Sequence, residues 1–162
     1  MRSTQNPQDL DFIQHAIQLA AEHMRAMDGG PFGAIIVREN KIIATGWNKV
    51  TSSNDPTAHA EVTAIRAAAS SLGTFVLGGC VLYTSCEPCP MCLSAAYWAR
   101  VDRIVFAATR ADADAAGFQD GHIYEELARP LHARKLPMQE ALRERAVEVF
   151  AEWSRLPNKT LY

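Results

Sequence analysis

The apolar positions of this chain follow two rhythms in turn. After Asn6-Pro7, a cap residue and a proline suited to a first helical position, Leu10, Ile13, Ile17, Ala20, Met24 and Met27 recur at helical spacing until Gly29-Gly30 stops the run. Residues 32–38 and 41–47 are rich in β-branched and apolar side chains and are separated by Glu39-Asn40, which predicts a hairpin. Asp55-Pro56 then predicts the start of a second helix, with Val62, Ile65, Ala69 and Leu72 as its apolar stripe up to Gly73 and with His59 and Glu61 in its first turns. Residues 81–84 read as a short buried strand entering a cysteine-rich loop, 90–99 as a third helix opened by Pro90, and 103–107 as another strand. Past Ala108 the chain is polar and irregular, punctuated by Gly117, Gly121 and Pro130, until Leu142, Ala146, Val149, Phe150 and Trp153 mark a last amphipathic helix closed by Pro157.

Strand, loop, helix, strand implies a right-handed parallel crossover, and open α/β sheets gather their ligand sites beyond the carboxyl ends of the strands. The expected architecture is an α/β fold, a three-layer α/β/α sandwich with a mixed sheet of about five strands. Gly29-Gly30 with Gly33 lacks the strand-before, helix-after context of a dinucleotide loop and reads as loop and strand-entry geometry.

Length and charge narrow the picture. At 162 residues and 48% hydrophobic content, one core and a single domain over 1–162 are expected. The net charge is −2 and the 16 basic residues are scattered, so no footprint for nucleic acid is present and a small substrate is expected. The first seven residues are polar, without the apolar core of a signal peptide, and no later run reaches membrane-spanning length, which places the chain in a reducing cytoplasm, away from membranes.

The chemistry sits in two short segments. His59-Ala60-Glu61 is answered by Pro88-Cys89-Pro90-Met91-Cys92, which supplies one imidazole and two thiolates for a single Zn²⁺ and leaves a fourth position open for water. Glu61 is close enough to take that water's proton without being needed as a ligand. Pro90 at a first helical position makes Cys89 the N-cap and puts Cys92 in the first turn, where free N–H groups favour thiolate. A closed structural site using Cys86 with Cys89, Cys92 and His59 is the alternative, and a Cys86–Cys89 disulfide is another. His15, His23, His122 and His132 read as surface or helix residues.

H-x-E followed by P-C-x-x-C is the signature of zinc-dependent nucleobase deaminases. The chain resembles the cytidine deaminase-like superfamily, and within it the bacterial guanine deaminases. The resemblance runs through Gly29-Gly30-Pro31-Phe32-Gly33-Ala34, Asn54-Asp55-Pro56-Thr57-Ala58-His59-Ala60-Glu61-Val62, Tyr83-Thr84-Ser85-Cys86-Glu87-Pro88-Cys89-Pro90-Met91-Cys92, Ala116-Gly117-Phe118-Gln119-Asp120 and the terminal Leu161-Tyr162. It implies zinc on His59, Cys89 and Cys92, one ion per chain, and Glu61 as proton shuttle. It also implies a base pocket in which Asn48 and Ala60 bind the base, Phe32 stacks on it, Trp98 lines the wall, and Asp120 accepts from its N–H groups and helps release ammonia. The implied reaction is guanine to xanthine and ammonia in a homodimer, with a segment of about 138–162 exchanged so that Tyr162 closes the neighbour's site. A tRNA adenosine deaminase shares the second and third segments but needs a basic docking surface. A related purine, triazine or guanosine deaminase and a zinc-stapled module without chemistry are the remaining alternatives.

Overall fold

A computed structural model describes residues 6–162, so the polar stretch 1–5 of the N-terminal reading lies outside the described residues. Helix α1, Pro7–Arg25, starts where its cap predicts, the Asn6 side chain accepting from the Gln8 N–H at 3.1 Å. Strands β1, Gly33–Arg38, and β2, Lys41–Trp47, form the expected hairpin. Its two turn residues both take left-handed backbone, φ 50° at Glu39 and 58° at Asn40, as a tight two-residue hairpin requires. Strand β3, Cys80–Cys86, leads through the cysteine loop into a helix at Pro90–Ala99 and on to β4, Arg103–Ala108, parallel to β3.

The sheet runs β2-β1-β3-β4 and is mixed, but it has four strands among the described residues where the sequence suggests about five. After Ala108 the chain does not enter another strand. Thr109 instead caps a short helix, Arg110–Ala115, through a reciprocal capping box with Asp112. A further helix, Gly121–Ala128, follows, so the stretch that reads as irregular carries two helices.

Alternation along β1 sends its side chains to two cores. Ala34 and Ile36 join a cluster with Ala60, Ala64, Ala96 and Ala99, while Ile35 and Val37 pack with Tyr83, Phe12, Ile13 and Leu19 of α1. Helices therefore cover both faces of the sheet.

The second helix departs from the reading at its start. Asp55 spends its carboxylate on the Thr57 N–H and hydroxyl, at 2.8 and 2.6 Å, which makes a turn at Pro56. A four-residue helix, Val50–Ser53, precedes that turn, and the long helix begins only at Ala60 and runs to Leu72. Numbered in chain order, Val50–Ser53 is α2, Ala60–Leu72 α3, Pro90–Ala99 α4, Arg110–Ala115 α5 and Gly121–Ala128 α6. The first turn of α3 lies flush on β2 because Gly46 has no side chain: a Cβ there would meet the Ala60 carbonyl at 2.4 Å.

The chain divides into two compact units after Gly121. The second unit, His122–Tyr162, carries a 3-10 turn, Leu131–Ala133, and helix α7, Arg143–Arg155, which buries none of its residues.

One ion pair fastens α1 to the sheet. Asp9 accepts two hydrogen bonds from Arg103 at 2.8 Å and one from the buried Tyr83 hydroxyl at 2.6 Å. Arg103's bonds, then Tyr83's, hold the Asp9 carboxyl down to about 2. Because the folded state lowers this carboxyl, its contribution is complete above the usual value of 3.8 and is lost as pH falls toward about 2. Arg103 is 49% exposed, so screening leaves the pair worth about 1 kcal/mol. Asp9→Ala is expected to lower unfolding stability by roughly that amount at neutral pH, and chemical denaturation should show the difference from the parent shrinking between pH about 4 and about 2.

Candidate active site

The strand register gathers the site at one end of the sheet. Gly33 pairs with Trp47, Ala34 with Thr84 and Cys86 with Ala108, so Phe32, Asn48 and the cysteine loop leave their strands side by side. Helices α3 and α4 bring their N-termini to the same place. His59 is the N-cap of α3, one position before the helical turns the sequence suggests, and Cys89 caps α4 with Cys92 in the first turn. Thiolates there face free N–H groups and the positive ends of two helix dipoles.

His59 Nδ1 stands 3.6 Å from Cys89 Sγ and 3.5 Å from Cys92 Sγ. Tetrahedral zinc with Zn–S of about 2.3 Å and Zn–N of about 2.1 Å needs nitrogen and sulfur about 3.6 Å apart. The donor set fits the ion, and all three donor atoms lie within 4.8 Å of one another. Electrostatics agree. The Cys89 thiol is pulled down to about 4, first by the hydrogen bond from Cys92 and then by that from His59, while the same Cys92–Cys89 bond and burial push Cys92 up. A divalent cation resolves that conflict by holding both sulfurs as thiolates. His59, Cys89 and Cys92 are positioned as zinc ligands.

Cys86 is not a fourth ligand. Its thiol donates to the Thr109 carbonyl at 3.6 Å, burial pushes it up to about 11, and it stands outside the donor cluster. All four cysteines are free thiols, so the Cys86–Cys89 disulfide is absent as well.

A cavity of about 230 Å³ opens beside the donor set, lined by Phe32, Asn48, His59, Glu61, Cys89 and Asp120 among others. It is smaller than the roughly 300–1,000 Å³ of pockets that take drug-sized ligands. Glu61 is 6% exposed, and its Oε1 accepts from the Thr84 hydroxyl of β3 at 3.2 Å. Burial lifts its carboxyl above the ordinary range. Asp120 is raised too, by burial first and then by the charge on Cys89. His59 is raised by its hydrogen bond to Cys89. Asn48 is buried, and its Oδ1 accepts from the backbone N–H groups of Gly30 and Val50 at 3.4 and 3.2 Å. Both bonds use the carbonyl end, which leaves the amide N–H₂ as the end available to a ligand.

Two candidates have side chains that do not line this cavity. Trp98 is 67% exposed on α4 and forms no part of the cavity wall, since Cys92, Ala96 and Ala99 make the helix's buried stripe. Ala60 has its side chain in the core, so only its N–H, orphaned at the first helical position, is of use to a ligand. Tyr162 belongs to the second unit.

The cavity also takes Cys86, Glu87, Arg110, Ala113, Phe118 and Gln119, which sequence reasoning gives no role in the wall. Glu87 Oε2 accepts from the Arg110 N–H at 3.0 Å, tying the start of α5 to the cysteine loop. The Phe118 N–H bonds back to the Ala113 carbonyl at 3.0 Å, and the Phe118 ring meets Phe32 edge-on at 4.8 Å.

Comparison with known proteins agrees with this geometry. The chain is 50% identical over 151 residues to the guanine deaminase of Bacillus subtilis, covering 93% of this chain and 97% of that protein. The X-ray structure of guanine deaminase from Bacillus subtilis matches with a TM-score of 0.93 at 49% identity, over 98% of this chain and 99% of that one. A tRNA-specific adenosine deaminase of Aquifex aeolicus is 46% identical, but over 89 residues, 54% of this chain and 59% of that protein. The model of the cytidine and deoxycytidylate deaminase zinc-binding region matches residues 6–108, more than half of the chain, and the chain belongs to that family.

Proposed function

We propose that this protein is a guanine deaminase, a hydrolase that cleaves the exocyclic C–N bond of guanine to give xanthine and ammonia. The observation that carries the reading is Asp120. It lies beyond the family-matched region 6–108, yet lines the same cavity as Glu61, Asn48, His59 and Cys89. The near full-length likeness to the Bacillus subtilis enzyme supports it, where the likeness to the tRNA enzyme covers about half of each chain.

His59, Cys89 and Cys92 would hold zinc, which when bound would supply Lewis acidity and bring a water's pKa toward 7. The protein's own groups do the rest. Glu61, whose proton affinity is raised by burial, takes one proton from the attacking water and delivers it to N3, then takes the second proton from the new C2 hydroxyl and delivers it to the amine, which leaves as ammonia while C2 becomes a carbonyl. Thr84 holds the carboxylate in place through both transfers. Asn48 offers its N–H₂ to acceptors of the base, Asp120 accepts from its N–H groups, and Phe32, braced by Phe118, stacks on it.

A panel tests the reading: ammonia release from guanine, guanosine, adenine, cytosine and a tRNA anticodon stem at equal concentration. Guanine should lead, because a base without matching donors leaves the Asp120 carboxylate unpaired at a cost of roughly 1–3 kcal/mol. Asp120→Ala should depress guanine turnover strongly. A faster reaction with the anticodon stem favours the tRNA reading instead.

The whole chain acts as one deaminase domain in this proposal, a three-layer sandwich in a homodimer that exchanges its C-terminal segment. Supporting the exchange, α7 is amphipathic yet buries no residue, with Val149 and Phe150 exposed. Mixing a Glu61→Ala chain with one lacking Leu161-Tyr162, through unfolding and refolding, builds one site with an intact Glu61 and an intact partner tail. Activity above both parents is expected, and activity no better than the more active parent, with the heterodimer present, contradicts the exchange. We assign the enzyme to the cytoplasm: its thiols are free, and among the described residues no helix is long and apolar enough to cross a membrane.

A further inference from the structure

His23 has two partners that its place near the end of α1 does not predict. Its Nδ1 donates to Asp28 Oδ2 at 2.9 Å, and its ring lies flat on Trp47, with centroids 3.6 Å apart and planes 3° from parallel. Lys49 sets its Nζ 3.9 Å from the centroid of the same indole. Trp47 and Lys49 flank Asn48 in the chain. Asp28 opens the loop that grips Asn48 from the other side. The Gly30 N–H donates to Asn48 Oδ1 at 3.4 Å, and the Asn48 N–H donates to the Phe32 carbonyl at 3.0 Å. Gly29 runs so close that a Cβ on it would fall 1.8 Å from the Asn48 carbonyl oxygen.

One imidazole thus joins both halves of the wall that holds Asn48. Through Asp28 it ties down the glycine loop, and through Trp47 it seats the end of β2. We propose that His23, with Asp28 and Trp47, is a clamp that sets the direction of the Asn48 amide and so tunes affinity for the base. His23 is a positioning residue: it lies outside the residues lining the cavity and acts only through Asn48. This inference rests on the reading of Asn48 as a ligand of the base. A contact made equally in ground and transition state acts on KM and leaves kcat, so the clamp should do the same.

A double-mutant cycle separates the clamp from simple bracing of the fold. In zinc-loaded protein, His23→Ala should raise KM for guanine about tenfold with kcat held within about twofold, as residues of one network do when coupled. Asp28→Ala, a change at a half-exposed side chain that leaves the imidazole on the indole, should raise KM about threefold, and it serves if His23→Ala does not fold. Both effects should vanish when Asn48 is already alanine. An undiminished effect in the Asn48→Ala background, or a loss that falls on kcat along with zinc content and Tm, overturns the clamp. If Asn48→Ala alone leaves guanine kinetics unchanged, the assignment of Asn48 to the base fails and the clamp falls with it. A clear Asn48→Ala defect without coupling sinks the clamp alone.

Discussion

Glu61→Ala is expected to keep its zinc and its fold and to lose turnover by at least about 10²–10⁴-fold, the contribution of a general acid–base group that here acts on more than one transfer. The structure gives the reason for both halves of that result. Glu61 is not among the metal-binding donors, so its removal leaves the ligand set whole. Its carboxyl is buried and raised, with the Thr84 hydroxyl as its short side-chain contact, so it is held at a cost in desolvation that the fold would be better without. The variant should therefore melt no lower than the parent, and Glu61→Gln, which keeps an acceptor for Thr84, should melt higher. Measuring kcat, zinc per chain and Tm on the same samples checks all three. Near-normal kcat at full zinc occupancy contradicts the proton shuttle and makes Asp120 the next carboxylate to test.

The second large effect is on the metal. Cys89→Ser or Cys92→Ser should empty the site and abolish activity, since each takes a thiolate from a three-donor set whose N–S separations of 3.6 and 3.5 Å already match tetrahedral zinc. Both variants should also melt lower, because an ion bound only by the folded chain no longer contributes its binding energy. Cys86→Ser should keep its zinc: its thiol is committed to the Thr109 carbonyl and held neutral by burial. Metal analysis of the three purified proteins decides the matter. Zinc lost from Cys86→Ser alone contradicts the assignment of ligands.

The two cysteine donors were legible in the sequence because their spacing is local, and His59 because Glu61 stands two residues after it. Pro90 fixes where α4 begins, and with it the capping position of Cys89 and the first-turn position of Cys92. The hairpin is legible for the same reason, since Glu39-Asn40 interrupts two β-rich runs. Where one local signal competes with another, the reading slips. Asp55-Pro56 looks like a helix start, but Asp55 satisfies Thr57 first, and α3 waits until Ala60. Helix α5 has no apolar stripe and buries nothing, so periodicity passes over it, although Thr109 followed by Asp112 is a capping signal that identifies it. The rest of the wall depends on register. Phe118 reaches Phe32 only because the chain turns back after α5, and Cys86 faces the cavity because β3 ends beside β4 at Ala108. No sequence spacing encodes those pairings.

The central claim is that this site hydrolyses the C2–N bond of guanine. Turnover of guanine by the zinc-loaded protein in ¹⁸O-labelled water tests it most directly. The account predicts xanthine carrying one labelled oxygen, at C2, with one ammonia released for each xanthine formed. Guanine recovered unchanged from protein shown to hold its zinc, or a product labelled anywhere but C2, would contradict it.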